Sequence, residues 1–71
     1  MQFDYSKLRG RIIEKFGSIR GFANHLDLQE QLVGKKLLNQ VKISQPDIIK
    51  WSEALDIDQN DIGVYFFSIK P

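Results

Sequence analysis

The side chains that could carry chemistry in this 71-residue chain are cations rather than nucleophiles or metal ligands. Residues 7–42 contain eight Lys and Arg against three acidic residues, a net charge of +5. The remaining positions hold two basic and six acidic residues, a net charge of −4. This separation predicts one basic and one acidic face, which fits either a phosphate-binding surface or two solvated surfaces without a partner.

The composition argues against several classes of site. The chain has no cysteine and a single histidine, His25, so we expect no disulfide, thiol nucleophile, metal centre or cofactor. At this length little chain remains beyond a core to build an active site, so we do not expect an enzyme. No apolar run approaches the ~20 residues of a membrane span and the N-terminus lacks a secretory signal pattern, so we expect a cytoplasmic protein without a membrane partner.

Capping residues predict where the outer helices begin and end. Asp4 is expected to cap a first helix over residues 4–16, and Gly17 is expected to end it. Ser44 is expected to cap a fourth helix, with Asp47 at the third helical position. Short connections of this kind predict a compact helical fold in which residues 1–71 form one domain.

The end of the chain carries two further signals. Asp58 is expected to cap a short fifth helix or turn that reaches about Tyr65. Residues 64–69 are apolar and β-prone, so we expect a short extended arm there. Because termini are disordered unless they are tied down, this dense apolar group predicts packing on the first and fourth helices.

The middle of the chain predicts a helix-turn-helix. Ser18 can cap a helix over residues 18–26, and a very tight turn joins that helix to another over residues 29–38. Ala23 is small where the second helix of the pair would cross the first, and Val33 supplies the branched apolar contact expected between them. The polar connection over residues 39–42 then leads to the fourth helix.

Motifs along the whole chain resemble those of a known family. They are Phe3-Asp4-Tyr5-Ser6-Lys7-Leu8-Arg9-Gly10-Arg11-Ile12-Ile13-Glu14-Lys15-Phe16-Gly17, Phe22-Ala23, Lys36-Leu37, Ile43-Ser44-Gln45, Ile48, Trp51 and Tyr65-Phe66-Phe67. They are similar to the short Cro-like regulators of temperate phages of Gram-positive bacteria, within the lambda-repressor-like, XRE-type helix-turn-helix superfamily. The resemblance implies an all-α, compact five-helix DNA-binding domain with a short C-terminal extended arm. It also implies operator binding through the third helix in the lysis–lysogeny switch.

The resemblance implies two sets of contacts to double-stranded operator DNA. The set that reads base edges consists of Gln29, Glu30, Gln31 and Lys35. Asn39, Gln40 and Lys42, in the loop after the third helix, would lie along phosphates. Arg20 and Lys36 are further candidates for phosphate contact, and the alternative for Lys36 is a structural role with its stem along the core edge. The turn position, usually Gly in the family, is Asp27 here and is expected to have a positive φ, which Asp tolerates better than most residues.

The outward face of the third helix leaves a second function open. Gln31, Gly34, Lys35 and Leu38 share one face by their spacing. Gly34 offers no side chain to read a base, and Leu38 stands where the family more often has a polar residue. Because a flat, partly apolar stripe suits packing against another helix, the alternative function is a modulator of repression, or antirepressor. It would have the same fold and bind the phage repressor protein through its helix-turn-helix.

Contacts to a protein partner form the last set of expected sites. The candidates are Gly34, Leu38, Phe66 and Phe67. Gly34 and Leu38 would serve the alternative function, whereas one of the two terminal aromatic residues is expected to fold back on the domain and the other could support a weak homodimer. A third hypothesis is a small helical interaction module without a regulatory role. Among the three, the basic segment and the family resemblance favour operator binding.

Overall fold

The helices follow the order that the sequence predicts. The computed structural model describes residues 2–71, and within them the fold is all-α, as predicted. The helices are α1 (Ser6–Phe16), α2 (Ile19–His25), α3 (Glu30–Leu37), α4 (Gln45–Ala54) and α5 (Ile62–Phe66), with a 3₁₀ turn at Gln59–Asp61 before α5.

Local side-chain and backbone signals set most helix ends. Gly17 ends α1 in the left-handed conformation with φ 77°, which glycine adopts at no steric cost. The Ser18 hydroxyl accepts the Gly21 N–H at the start of α2. At the start of α4, Ser44 and Asp47 form a reciprocal capping box, in which each side chain accepts the other residue's backbone N–H. The predicted roles of Gly17, Ser18 and Ser44 are confirmed.

The first helix begins slightly later than predicted. Tyr5 is the N-cap of α1, and its side chain makes no capping hydrogen bond. Asp4 still supplies a cap, because its carboxylate accepts the Ser6 N–H at 2.9 Å. That hydrogen bond holds the pKa of Asp4 below its ordinary value. The expected cap is therefore present, one residue further from the helix.

The C-terminal arm is shorter than predicted. Residues 64–66 belong to α5 instead of an extended segment, because the tertiary fold buries Phe66 in the core. Beyond α5 the chain extends and forms one antiparallel bridge between Ile69 and Phe3. The Asp4 N–H donates to the Ser68 carbonyl at 2.7 Å, and the Lys70 N–H donates to the Gln2 carbonyl at 3.1 Å.

The core lies where the five helices meet. Trp51 of α4 packs edge-on against Phe22 of α2, with ring centroids 5.1 Å apart. Aromatic pairs favour this T-shaped arrangement because the positive ring edge meets the negative ring face. The fully buried large side chains are Trp51, Phe22, Phe66, Leu8, Ile12, Leu55 and Val33. All five helices contribute to this set, so the core fixes the position of α3 relative to the rest of the fold.

Candidate interaction surface on the helix-turn-helix

Backbone hydrogen bonds close the helix-turn-helix across a left-handed residue. Asp27 has φ 58°, as expected for the turn position. The Leu28 N–H reaches back to the Ala23 carbonyl at 2.9 Å. Ala23 and Val33 are both fully buried in the same core cluster. The turn and the core together hold α3 against α2 and leave the opposite side of α3 to solvent.

The outward face of α3 is open and partly apolar. Gln31 and Lys35 are exposed, and Leu38, the C-cap, keeps 58% of its surface accessible. Gly34 lies between them, and a Cβ added there would meet nothing within 4 Å. Packing within the described chain therefore does not require a glycine at this position.

The residues expected to read base edges are all accessible. They are Gln29, Glu30, Gln31 and Lys35, and each is exposed. Gln29 is the N-cap of α3 without a side-chain capping bond. Glu30 in the first turn suits the positive end of the helix dipole, but its carboxylate would repel DNA phosphates. The end of α3 expected to enter a groove thus has mixed charge.

Lys36 is placed differently from the expected phosphate contact. Only 9% of the residue is exposed, and its ammonium lies 2.5 Å from the Asp47 carboxylate. Burial raises the pKa of Asp47, but hydrogen bonds from Lys36 and Ser44 outweigh it and lower the pKa below its ordinary value. Lys36 therefore joins α3 to α4, whereas Arg20, Gln40 and Lys42 of the same expected set are exposed.

Asn39 also has a bonding role within the chain. Its side-chain oxygen accepts the Phe3 N–H at 3.1 Å, and its side-chain nitrogen donates to the Phe3 carbonyl at 2.9 Å. The carboxamide thus pairs with the Phe3 backbone as a peptide group of a neighbouring strand would. Asn39 has φ 63°, a conformation that asparagine tolerates. Its side chain is therefore not free for a phosphate, contrary to the expectation from the sequence.

Two cations of α1 are held by the end of α4. The Arg11 guanidinium donates to the carbonyls of Leu55 and Asp56 and to the Glu14 carboxylate. Lys15 lies 2.7 Å from the Asp56 carboxylate, and this hydrogen bond lowers the pKa of Asp56. Arg11 thus satisfies backbone carbonyls at the end of α4, whereas Lys15 pairs with a side chain. The basic segment therefore presents fewer free cations than its eight Lys and Arg residues suggest.

The two terminal aromatic residues have opposite environments. Phe66 is 2% exposed and belongs to the core, so it is the one of the pair that folds back, and it is not available as a partner contact. Phe67, the next residue, is 52% exposed and packs edge-on against Phe3, with ring centroids 6.0 Å apart. Phe67 alone of this pair can reach another molecule.

An apolar groove that the sequence analysis missed adjoins the end of α3. It encloses about 530 Å³ between the N-terminal segment, the loop after α3 and the end of α5. Its walls include Phe3, Val41, Ile43, Ile48 and Phe67. The signal in the sequence was Val41, the one apolar residue of the otherwise polar connection over residues 39–42. Val41 is 36% exposed.

Neither a metal centre nor a membrane span is found in the part of the chain that the structure describes. Residues 2–71 contain no group of three His, Cys, Asp or Glu side chains that could hold a metal ion. None of the helices there combines the length and apolar character needed to cross a bilayer. His25 is exposed, and its ring packs on Phe16 with centroids 4.9 Å apart.

Comparisons with known proteins give a family match and a solved structure of similar fold. A family model described as "Protein of unknown function (DUF739)" matches residues 1–69. The solution structure of the modulator of repression of the temperate bacteriophage TP901-1 from Lactococcus lactis is similar, with 39% sequence identity and a TM-score of 0.82. That match covers 94% of this chain and 90% of the other. No curated protein sequence matches the chain significantly.

Proposed function

The chain belongs to the DUF739 family, and we propose that it is a phage regulatory protein that modulates repression by binding a repressor protein. The observation that carries this proposal is the outward face of α3. It places the open Gly34 beside the exposed side chain of Leu38. The similarity to a phage modulator of repression over nearly the whole chain supports the same function.

The composition of this face favours a protein partner on energetic grounds. A glycine inside a helix costs about 1 kcal/mol relative to alanine, and no neighbour within the described residues requires Gly34. A partner helix that approaches closely over Gly34 accounts for it. Burial of the Leu38 side chain in such a contact would contribute about 1.5–3 kcal/mol.

Direct operator binding, which the sequence analysis favoured, has less support. Lys36 and Asn39 are engaged within the chain, and Arg11 and Lys15 are bound at the end of α4. Phosphate neutralisation supplies much of the affinity for DNA, so the loss of these contacts weakens that mechanism. A Cro-like function therefore has less support than a function in which the same fold binds a protein.

The proposed complex explains how this protein could act without reading DNA. α3 packs against the repressor's own recognition helix, and the repressor then cannot insert that helix into the major groove. Operator DNA and this protein would compete for the recognition helix of the repressor, so saturating operator DNA should displace this protein from the repressor. The relevant equilibrium is the one among this protein, the repressor and the operator.

Leu38→Asn tests this function against a matched control. Purified repressor from the same phage is titrated with the wild type, with Leu38→Asn and with Ile49→Asn by calorimetry. Ile49 is 59% exposed on α4 and Leu38 is 58% exposed, so the two substitutions remove similar apolar surface. We expect Leu38→Asn to weaken the complex about ten- to a hundredfold and Ile49→Asn to leave it unchanged.

Titration of the wild type with operator duplex alone completes the test. Tight binding at low salt, with log K falling linearly as log salt rises, and no binding to the repressor would overturn the proposal in favour of a Cro-like function. Equal effects of Leu38→Asn and Ile49→Asn on repressor binding would remove α3 from the interface.

A further inference from the structure

The apolar groove beside α3 is preformed in the free chain. Its Phe3 wall is fixed by the two hydrogen bonds between the Phe3 backbone and the Asn39 carboxamide, which accepts one and donates the other. On the other side, Phe3 is paired with Ile69 in the antiparallel bridge. Phe67 closes the same region through its edge-on contact with Phe3. A groove held in shape before binding loses little conformational entropy when an occupant enters.

The groove continues the outward face of α3. The loop after α3 folds back on its last turn, because the N–H groups of Gln40 and Val41 both reach the Lys35 carbonyl, at 2.9 Å and 3.3 Å. Val41 therefore lies close to the last turn of α3, where Leu38 is exposed, and it also lines the groove. A partner that covers Leu38 would reach Val41 and Phe67 next.

The charge at the groove specifies the chemistry of its occupant. Lys42 is the one charged side chain among the lining residues, and it forms no ion pair with any of residues 2–71. Asp47, the acidic residue nearest to Lys42 in sequence, binds Lys36, and Asp4, next to the groove residue Phe3, accepts the Ser6 N–H. A complementary occupant carries an apolar side chain beside a carboxylate.

We propose that this groove receives an apolar side chain of the repressor, with an adjacent repressor carboxylate paired to Lys42. The inference rests on the proposed function and extends it, because it adds a second, preformed contact beside α3. Its volume of about 530 Å³ falls within the range of sites that enclose a ligand-sized apolar group. Fully buried apolar pockets at the centre of an interface often supply most of its affinity.

The test uses the full chain and purified repressor of the same phage. Phe67→Ala removes one wall of the groove, and Lys42→Gln removes its charge. Val64→Ala is the control, because Val64 is a 43% exposed residue of α5, the helix that ends at the C-cap Phe67, and does not line the groove. We expect Phe67→Ala to weaken the complex about tenfold or more, with little change in its salt dependence.

The Lys42→Gln variant should behave differently from Phe67→Ala. Its complex should be about two- to tenfold weaker and less sensitive to salt than that of the wild type, because an exposed ion pair is screened by salt. Val64→Ala should bind like the wild type. Thermal unfolding of each variant establishes that the fold is retained.

Three results would overturn the inference. Equal repressor affinities for Phe67→Ala and Val64→Ala, with the wild type still bound, would exclude the groove and leave the proposed function intact. A change in the sedimentation of the free chain on Phe67→Ala would assign the groove to a second copy of this chain. A wild type that binds no repressor would overturn the proposed function itself, and the groove's role with it.

Discussion

At the scale of single residues, the helical glycines differ in whether packing within the chain requires them. A Cβ at Gly21 would lie 2.7 Å from the Phe16 carbonyl oxygen, so the close approach of α1 and α2 requires that glycine. Gly34 and Gly10 have open space instead, with nothing within 4 Å of an added Cβ. A helix-interior glycine without a packing reason weakens the fold. The proposed partner contact on α3 accounts for Gly34, and nothing in the structure explains Gly10.

Gly34→Ala should therefore stabilise the isolated protein and weaken the repressor complex. Alanine gains up to about 1 kcal/mol of helix propensity in the free energy of unfolding. Its methyl group would hold a partner helix away from α3. Urea unfolding and calorimetric titration with the repressor measure the two effects.

Gly10→Ala is the matched control for that substitution. Gly10 lies inside α1 and is also open to solvent, so alanine should stabilise the fold by a similar amount. The repressor affinity should not change. An unchanged repressor affinity for Gly34→Ala, alongside the expected stabilisation, would contradict a close helix contact over α3.

At the scale of helices, ion pairs and caps link neighbouring elements. Asp47 caps α4 and binds Lys36 of α3, so one carboxylate fixes both the start of one helix and its contact with another. Arg11 of α1 binds the carbonyls at the end of α4. The Lys36–Asp47 pair holds α3, and with it the candidate interface, against α4, and the Arg11 bonds hold α4 against α1.

The ion pair between Asp47 and Lys36 should make the stability of the protein depend on pH in the acid range. Lys36 and Ser44 hold the pKa of Asp47 below its ordinary value in the folded state despite its burial. The unfolded chain therefore takes up the proton first, and stability is lost as the pH falls from about 4 through the folded pKa. Asp47→Asn should cost about 1–3 kcal/mol at neutral pH, and the cost should shrink in acid.

Urea unfolding between about pH 7 and pH 3 measures this difference. Glu53→Gln is the control, because Glu53 is an exposed residue of the same helix without an ion pair in the described part of the chain. Its effect on stability should be small and should not follow that of Asp47→Asn. A constant gap between wild type and Asp47→Asn over this pH range would contradict the role given to the ion pair.

At the scale of the whole molecule, the C-terminal segment completes the core. α5 brings Phe66 into contact with the cluster formed by the other helices. The segment after α5 pairs with the N-terminal residues through the bridge between Phe3 and Ile69. A domain of this size has a net stability of only about 3–5 kcal/mol, so a single large side chain in the core decides whether it folds.

Phe66→Ala and Phe67→Ala should therefore differ sharply. Truncation of a fully buried Phe costs about 3–5 kcal/mol, which is comparable with the stability of the entire domain. We expect Phe66→Ala to be largely unfolded by circular dichroism at 25 °C. Phe67 is 52% exposed, so Phe67→Ala should lower the free energy of unfolding by only a small part of that amount. Equal melting temperatures for the two variants would contradict the assignment of Phe66 to the core.

The sequence by itself determined the features that depend on neighbours along the chain. Gly17, Ser18, Ser44 and Asp58 mark helix ends through bonds or backbone angles that span only a few residues. Cap residues, the tight turn and the pair of Ala23 with Val33 then placed α1 to α4 and the helix-turn-helix. The outward stripe of α3 also followed from helical spacing, and with it the alternative function that the comparisons favour.

Only the tertiary structure decided which polar and aromatic side chains remain free. Lys36 meets Asp47 eleven residues away, and Asn39 meets Phe3 across thirty-six residues. The local pattern identifies neither partner, so both side chains were candidates for phosphate contact. Phe66 and Phe67 are chemically identical neighbours, and the packing of α5 alone buries one and exposes the other. Contacts between distant segments make these choices, because burial and partner geometry depend on how the helices come together in space.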